Sequence, residues 1–296
     1  LNSQAKLVID YVYAVSGAVL PQILGKLDCD AVVLNASLRQ NALSYDEREV
    51  MLGQLGQVVQ ALRATFGAQV SANGEQLILV DEMGAQIRGE TLTALMAHMM
   101  LTNHPRGTVV VPVHTSGAVE QIARRHDGRV IRTKANPTAL MEACQDNDDV
   151  VLGGSGDMGF IFPELHPGFD AMFCIAKLIE MLTLQERSLG QIWSELPRVS
   201  HRIQTLRCPW TVKGALMRYM VEEHPPEKLE LIDGVKVLGE NSDDWILVLP
   251  DAGEPLVHIY ANSGDRDWLD ESLIKYQNLV QDFIAKEQGT KETAVL

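Results

Sequence analysis

Apolar and polar residues along the chain fall into short runs whose period changes in a regular way. Residues 6–13 (KLVIDYVY) and 31–34 (AVVL) are brief, branched and apolar, as strands are. Residues 18–26 and 46–64 space their apolar positions as helices do, with Ser44 or Asp46 placed to cap the second. Residues 77–80 (LILV) predict a further strand, Glu82-Met83-Gly84 a turn, and 89–100 a helix. After the polar stretch 102–107 the pattern restarts: strand 108–112, helix 117–125, strand 129–133, helix 137–144, and strand 150–152 running into Gly153-Gly154. Helices at 171–184 and 189–196 follow. Strands alternating with helices imply parallel crossover units.

Beyond about residue 198 the texture changes. Residues 201–206 alternate, 211–223 read as a helix, three strands follow at 235–237, 245–249 and 256–260, and a helix at 268–284 closes the chain before a polar, mobile tail at 286–296. Strands grouped between two helices predict a small α+β domain. The expected divisions are 1–103, 104–198 and 199–296.

Bulk properties remove some function classes. A formal charge of −14 argues against a general nucleic-acid binder, because a phosphate backbone needs concentrated Lys and Arg. No run of 18 or more apolar residues is present, which argues against a membrane span, and no secretory signal pattern opens the chain; a cytoplasmic location is expected. Cys29, Cys144, Cys174 and Cys208 show no paired short spacing, so free thiols are the plain expectation. The chain opens on Leu1 and reads as a piece of a longer polypeptide.

Candidate chemistry is confined to a few loops. Gly153-Gly154-Ser155-Gly156-Asp157-Met158-Gly159 holds four glycines after a strand, where parallel sheets bind ligands; a plain turn is the alternative. It is not a dinucleotide fingerprint, since no helix starts directly on it. Glu164 and His166 form a close carboxylate–imidazole pair nearby, suited to a catalytic or sugar-hydroxyl role, while Asp170 is placed as a helix cap. Residues 251–255 (DAGEP) read as a hairpin turn, and His114-Thr115-Ser116 puts hydroxyls at a strand end without a general base in view.

Taken together, the LVDE-x-G turn, the glycine loop, GFIFPELHPGFDAMF and the DGVKV…WILVLPDAGEP ending resemble the alpha-D-phosphohexomutase family of phosphomannomutases and phosphoglucomutases. The resemblance implies an α/β fold of two mutase-type α/β domains with mixed sheets plus a smaller C-terminal α+β domain, corresponding to domains two, three and four of the family. It also implies where each family loop should lie and how far it has changed. The family's metal loop, rich in carboxylates that hold magnesium, matches Ser71, Asn73 and Glu75, followed by Gln76, so no metal is expected here. The sugar loop matches Gly154, Ser155 and Asp157, with Ser155 where the family has Glu. The phosphate loop matches Asp251, Gly253 and Glu254, with Leu249 in place of the phosphate-gripping Arg.

No catalytic residue is assigned in this fragment. The resemblance extends to modules fused behind a sugar nucleotidyltransferase, as in mannose-1-phosphate guanylyltransferase-type proteins. The expected function is a phosphomannomutase-like module that has lost mutase chemistry and serves a structural or regulatory role in a larger sugar-phosphate or nucleotide-sugar protein. Two alternatives stand beside it. One is a live phosphohexomutase using Mg2+, completed by an N-terminal domain absent from this chain. The other is a non-catalytic module in which Ser155, Asp157 and Glu164 recognise a sugar or other polyol. Partners are thus a sugar phosphate and covalently linked N-terminal domains, with no nucleic acid or membrane; oligomerisation is left open.

Overall fold

A computed structural model describes residues 5–14, 16–26, 29–39, 43–241 and 243–293. Its elements run β1 (Lys6–Asp10), α1 (Ser16–Lys26), β2 (Asp30–Leu34), α2 (Tyr45–Leu62), β3 (Phe66–Val70), β4 (Leu77–Val80), β5 (Gln86–Ile87) and α3 (Gly89–Asn103). Then come β6 (Thr108–Pro112), α4 (Ala118–Arg125), β7 (Arg129–Thr133), α5 (Pro137–Gln145), β8 (Val150–Ser155), β9 (Gly159–Phe162), β10 (His166–Phe169), α6 (Ala171–Gln185) and α7 (Leu189–Ser194). The last part comprises β11 (Ser200–Arg207), α8 (Trp210–Glu222), β12 (Leu229–Glu230), β13 (Val235–Leu238), β14 (Trp245–Pro250), β15 (Leu256–Ser263) and α9 (Arg266–Thr293).

The strands form three sheets, ordered β2-β1-β3-β4-β5, β10-β9-β8-β6-β7 and β11-β15-β14-β13-β12. In the first, β1 pairs parallel with β2 and β3, and β3, β4 and β5 continue antiparallel. The second is mixed in the same way, with β6 parallel to β8 and the β8–β9–β10 part antiparallel. Every neighbouring pair of the third is antiparallel. The fold is therefore α/β with two mixed-sheet domains and a smaller α+β portion.

The chain divides into two compact units: Leu1–Pro112 with Val119–Ile131 and Asn136–Pro197, and Val113–Ala118 with Arg132–Ala135 and Arg198–Leu296. In the first unit, Leu52, Leu55 and Val59 of α2 pack on Val8 and Val80. Complete burial of such side chains contributes roughly 1.5–3 kcal/mol each. The sequence pattern misses β3 because Gly67 interrupts its apolar run, and packing explains that glycine: a methyl group there would sit 2.6 Å from Val59 Cγ2. Ser44 caps α2 in a capping box with Glu47. The α3 helix is buried on all sides from Leu92 to Leu101 save at His98, and packs on β8, α6 and α7.

In the second unit, β14 (WILVLP) reads as a continuous apolar run because it is covered on both faces. Ile246 and Val248 join the cluster of Leu216, Val257 and Leu269, while Trp245, Leu247 and Leu249 pack with Val113. The α9 helix continues to Thr293, so the stretch expected to be a mobile polar tail is helical as far as that residue, and 294–296 lie outside the described residues. Cys144, Cys174 and Cys208 are buried and all four cysteines are free thiols. Among the described residues no helix is long and apolar enough to cross a membrane.

Candidate functional site

The strands β1 and β3 of the first sheet end side by side, at Asp10 and Val70. The pattern suggested that β1 would run on to Tyr13, but the backbone turns into the left-handed region at Val12 (φ 46°) and Tyr13 (φ 61°). Neither residue favours that conformation, and a β-branched valine least of all, so each costs on the order of 1–3 kcal/mol. The fully buried Asp10 carboxylate compensates. It accepts from Val12 N at 3.0 Å, Asn35 Nδ2 at 2.9 Å and Gln69 Nε2 at 3.1 Å. One carboxylate thus ties together the ends of β1, β2 and β3.

These strand ends open into a cavity of about 490 Å3, lined by Val12 to Ala14, by Arg39, Leu43, Tyr45, Arg48 and Glu49, by residues 69–72 and 76–78, by Arg88 and Gly89, and by Gly156 and Asp157. Crevices at the carboxyl ends of parallel strands are where open α/β sheets bind ligands. Arg39, Arg48 and Arg88 all face it. Arg88 pairs with Glu49 at 2.7 Å and Arg39 with Glu47 at 3.2 Å, the Arg39 guanidinium also lying 6.0 Å from the Tyr13 ring.

Two loops flagged by sequence meet at this cavity. Gln76 Nε2 donates to the Asp157 carbonyl at 2.8 Å, and Ser71, Gln76, Gly156 and Asp157 all line the space. The glycine segment is not a free loop, however. Gly153, Gly154 and Ser155 belong to β8, Gly159 opens β9, and Gly156-Asp157-Met158 forms the tip of a tight hairpin. Gly156 N donates to Thr93 Oγ1 at 2.8 Å, and a methyl group at Gly156 would meet the Gly89 carbonyl oxygen at 2.2 Å. The glycines are there for close packing. Ser155 is buried with its hydroxyl unpartnered, away from the cavity lining. Partial desolvation of the Asp157 carboxyl raises its pKa above the ordinary value.

Glu164 and His166 are not brought to the cavity. Glu164 pairs with Lys177 at 2.9 Å, and His166 Nε2 lies 3.8 Å from Asp170 Oδ2, at the residue that also caps α6 by accepting from Phe173 N. The segment 163–170 includes a strand, β10, where sequence showed only a connection. In the second unit His114 Nδ1 and Thr115 Oγ1 are buried without partners, and burial pushes the His114 pKa down to about 4.

Asp251, Gly253 and Glu254 form the β14–β15 hairpin turn. Asp251 Oδ1 accepts from Gly253 N and Glu254 N, both at 2.8 Å, and its Oδ2 lies 2.9 Å from His258 Nε2. The hydrogen bond with His258, followed by the two backbone donors, holds the Asp251 pKa down at about 2. His258 Nδ1 in turn meets Thr205 Oγ1 at 2.9 Å, and Lys213 donates to the Asp251 and Glu254 carbonyls. The backbone donors of this turn are thus taken by the chain's own carboxylate.

Residues 88–199 match the family of phosphoglucomutase/phosphomannomutase, alpha/beta/alpha domain III. Over 260 residues the chain is 27% identical to a phosphoglucomutase/phosphomannomutase of Thermococcus kodakarensis, covering 86% of this chain and 56% of that protein. It is 27% identical over 284 residues to a probable phosphoglucosamine mutase of Methanosarcina acetivorans, covering 95% and 63%. Residues 88–199 thus match a phosphohexomutase domain, and the chain as a whole is similar to alpha-D-phosphohexomutases. The fold likeness extends to a phosphoglucomutase/phosphomannomutase family protein of Burkholderia thailandensis (TM-score 0.79, 17% identity, 96% of this chain and 61% of that one). A putative phosphomannomutase of Thermus thermophilus gives a TM-score of 0.69 at 17% identity, with 94% and 61% covered. The chain spans less than two thirds of the length of each of these four proteins.

The family resemblance raises magnesium, and the donors at the matching stretch do not fit it. Ser71 Oγ donates to Asn73 Oδ1 at 2.7 Å and Asn73 Nδ2 to Glu75 Oε2 at 2.5 Å, while Gln76 N donates back to Ser71 Oγ at 2.9 Å. A hydroxyl, an amide and one carboxylate, bonded to each other, lack the charge that a hard dication needs to offset its dehydration. Among the described residues no group of three or more His, Cys, Asp or Glu is arranged to hold a metal.

Sequence reasoning missed Tyr13, Tyr45, Arg39, Arg48 and Arg88. They come from separate elements with no local motif, and the signal that could have found them is Asp10, a carboxylate ending a buried apolar strand.

Proposed function

We propose that this chain comprises domains two to four (1–103, 104–198 and 199–296) of a phosphohexomutase-type protein whose loops no longer support mutase chemistry. In this reading it acts as a structural or regulatory module of a larger protein of sugar-phosphate or nucleotide-sugar metabolism, of the kind that carries a guanylyltransferase. The observation that carries the reading is the β14–β15 turn, where Asp251 takes the Gly253 and Glu254 N–H groups. Phosphoryl transfer depends on neutralising and positioning phosphate, and a fixed carboxylate at the phosphate loop opposes both. The magnesium-poor donor set at Ser71, Asn73 and Glu75 supports the same reading.

Calorimetric titration with mannose 1-phosphate and glucose 1-phosphate, with and without Mg2+, tests it. The expected result is no magnesium-dependent heat. A magnesium-dependent signal at low-millimolar affinity or tighter that disappears in Glu75→Ala would overturn the reading in favour of a live mutase. The arginine-lined cavity favours, as a second reading, a binding role without catalysis.

A further inference from the structure

We propose that the His98–His126 pair, where α3 meets the end of α4, is a pH-sensitive latch whose double protonation loosens the junction of α3, α4 and α7. The latch lies within the first unit and stands apart from the catalytic and binding readings above. His98 Nδ1 and His126 Nε2 are 3.3 Å apart, with ring centroids 5.2 Å apart and planes tilted by 57°. Both side chains are half-buried. Two ring nitrogens at this separation hold one proton between them, one donating N–H and the other accepting through its lone pair. A neutral pair meets that need, and so does a pair carrying one extra proton. When both rings are protonated, N–H faces N–H, and the hydrogen bond becomes repulsion between two cations.

The surroundings offer such cations little compensation. Among the described residues, the charged groups acting on the pair are Arg125 of α4, Arg187 between α6 and α7, and Glu195 at the end of α7. The Glu195 carboxylate is already paired with Arg187, and the Glu195 carbonyl accepts from Arg125 at 3.4 Å. A proton added to either ring therefore meets two guanidiniums and one carboxylate that is already matched. Burial, then the charge of His126, Arg187 and Arg125, holds the His98 pKa below its ordinary value of 6.5. Burial and Arg125 do the same for His126. Water reaching an opened junction would remove these penalties, so the opened form binds protons more readily below about pH 6.5. The latch is thus fully present above that pH and is lost as pH falls through the lowered values.

Several elements depend on this one contact. The His126 carbonyl accepts from Arg106 N at 2.9 Å, which ties the end of α4 to the turn between α3 and β6. At the other side α7 spans only Leu189–Ser194. It is held at its start by Glu82, which accepts from Gly190 N at 3.1 Å, and at its end by the Glu195 contacts with Arg125 and Arg187. The same two arginines thus hold the end of α7 and oppose protonation of the histidines. A helix of six residues has little stability of its own, so its order follows that of the junction.

Amide hydrogen exchange between about pH 8 and about pH 5, expressed as protection factors, tests this on the full chain and on His126→Gln. The amide of the variant still donates and accepts but takes up no proton. Across this range the end of α3, the 104–107 turn and α7 are expected to lose roughly fivefold more protection in the parent than in His126→Gln, the worth of about one hydrogen bond. The β14 and β15 strands, in the second unit, should respond to pH equally in both proteins. Equal pH dependence of the junction in the two proteins would overturn the proposal, because a merely structural contact shifts protection at every pH alike. Imidazole 15N spectra of the parent give a second readout that needs no variant. His98 and His126 are expected to be mostly neutral at pH 6.5 and to titrate in two linked steps. Independent titration of both rings at their ordinary value would overturn the latch, even if His126→Gln failed to fold.

Discussion

The β8–β9 and β14–β15 hairpins both turn at a place where family resemblance puts a ligand loop, and glycine means different things in the two. At Gly154 the backbone is left-handed (φ 111°), and an added methyl group would stand 2.1 Å from the Gly159 carbonyl oxygen across the ladder. Gly153 is equally closed, its missing methyl filled by Cys144 Sγ at 2.1 Å. At Gly253 an added methyl would meet only Asp251 Oδ1, at 3.8 Å, and the backbone is outside the left-handed region. The first hairpin is held by steric fit, the second by hydrogen bonds to a side chain. A glycine-rich stretch therefore shows close backbone approach, and whether the neighbour is a ligand or the protein itself has to be read from packing.

The strongest way to break this comparison is Gly154→Ala. The neighbour is backbone, so nothing flexible can give way, and the alanine would also be held at an unfavourable φ. The expected loss is roughly 3 kcal/mol or more, read as a large drop in the urea midpoint or as failure to fold. A loss under about 1 kcal/mol would show that the hairpin is free to rearrange, and its glycines would again be open to a ligand role.

Much of the architecture was legible because period and burial agree. The WILVLP run, the capping box at Ser44 and the Asp170 cap all state locally what the fold does with them. Legibility failed where one residue answers to a distant neighbour. Gly67 hides β3 because its partner is Val59 on α2, and Gly153 and Gly154 look like loop because their partners are Cys144 and Gly159. The cavity failed in the same way. Tyr13, Arg39, Arg48 and Arg88 converge only once β1 and β3 lie side by side, and no spacing along the chain reports that.

A smaller effect sharpens the other half of the comparison. Asp251→Asn keeps an acceptor for Gly253 N and Glu254 N but loses the charged contact with His258, at an expected cost of about 1–2 kcal/mol at neutral pH. The folded pKa of about 2 lies below the ordinary 3.8, so between these values the unfolded chain binds the proton more readily. The stabilisation is therefore fully present above about pH 4 and lost as pH falls toward 2. Urea midpoints measured across that window should converge for the two proteins. A gap that stays constant down to pH 2 would mean that the carboxylate charge contributes nothing to the turn.

The smallest effect is the most discriminating. Gly253→Ala retains the N–H that donates to Asp251, adds a methyl group with no neighbour closer than 3.8 Å, and asks for no left-handed backbone. Ordering an alanine costs the unfolded chain less freedom than ordering a glycine, so the variant should be within about 0.5 kcal/mol of the parent and on the stable side if it moves. Its urea midpoint, compared with that of Gly154→Ala, separates a glycine kept for fit from one that only occupies a turn. If Gly253→Ala instead cost about 2 kcal/mol or more, the turn would have a steric requirement that its hydrogen bonds do not reveal. The self-occupied carboxylate would then be a consequence of the backbone's shape and not what holds it.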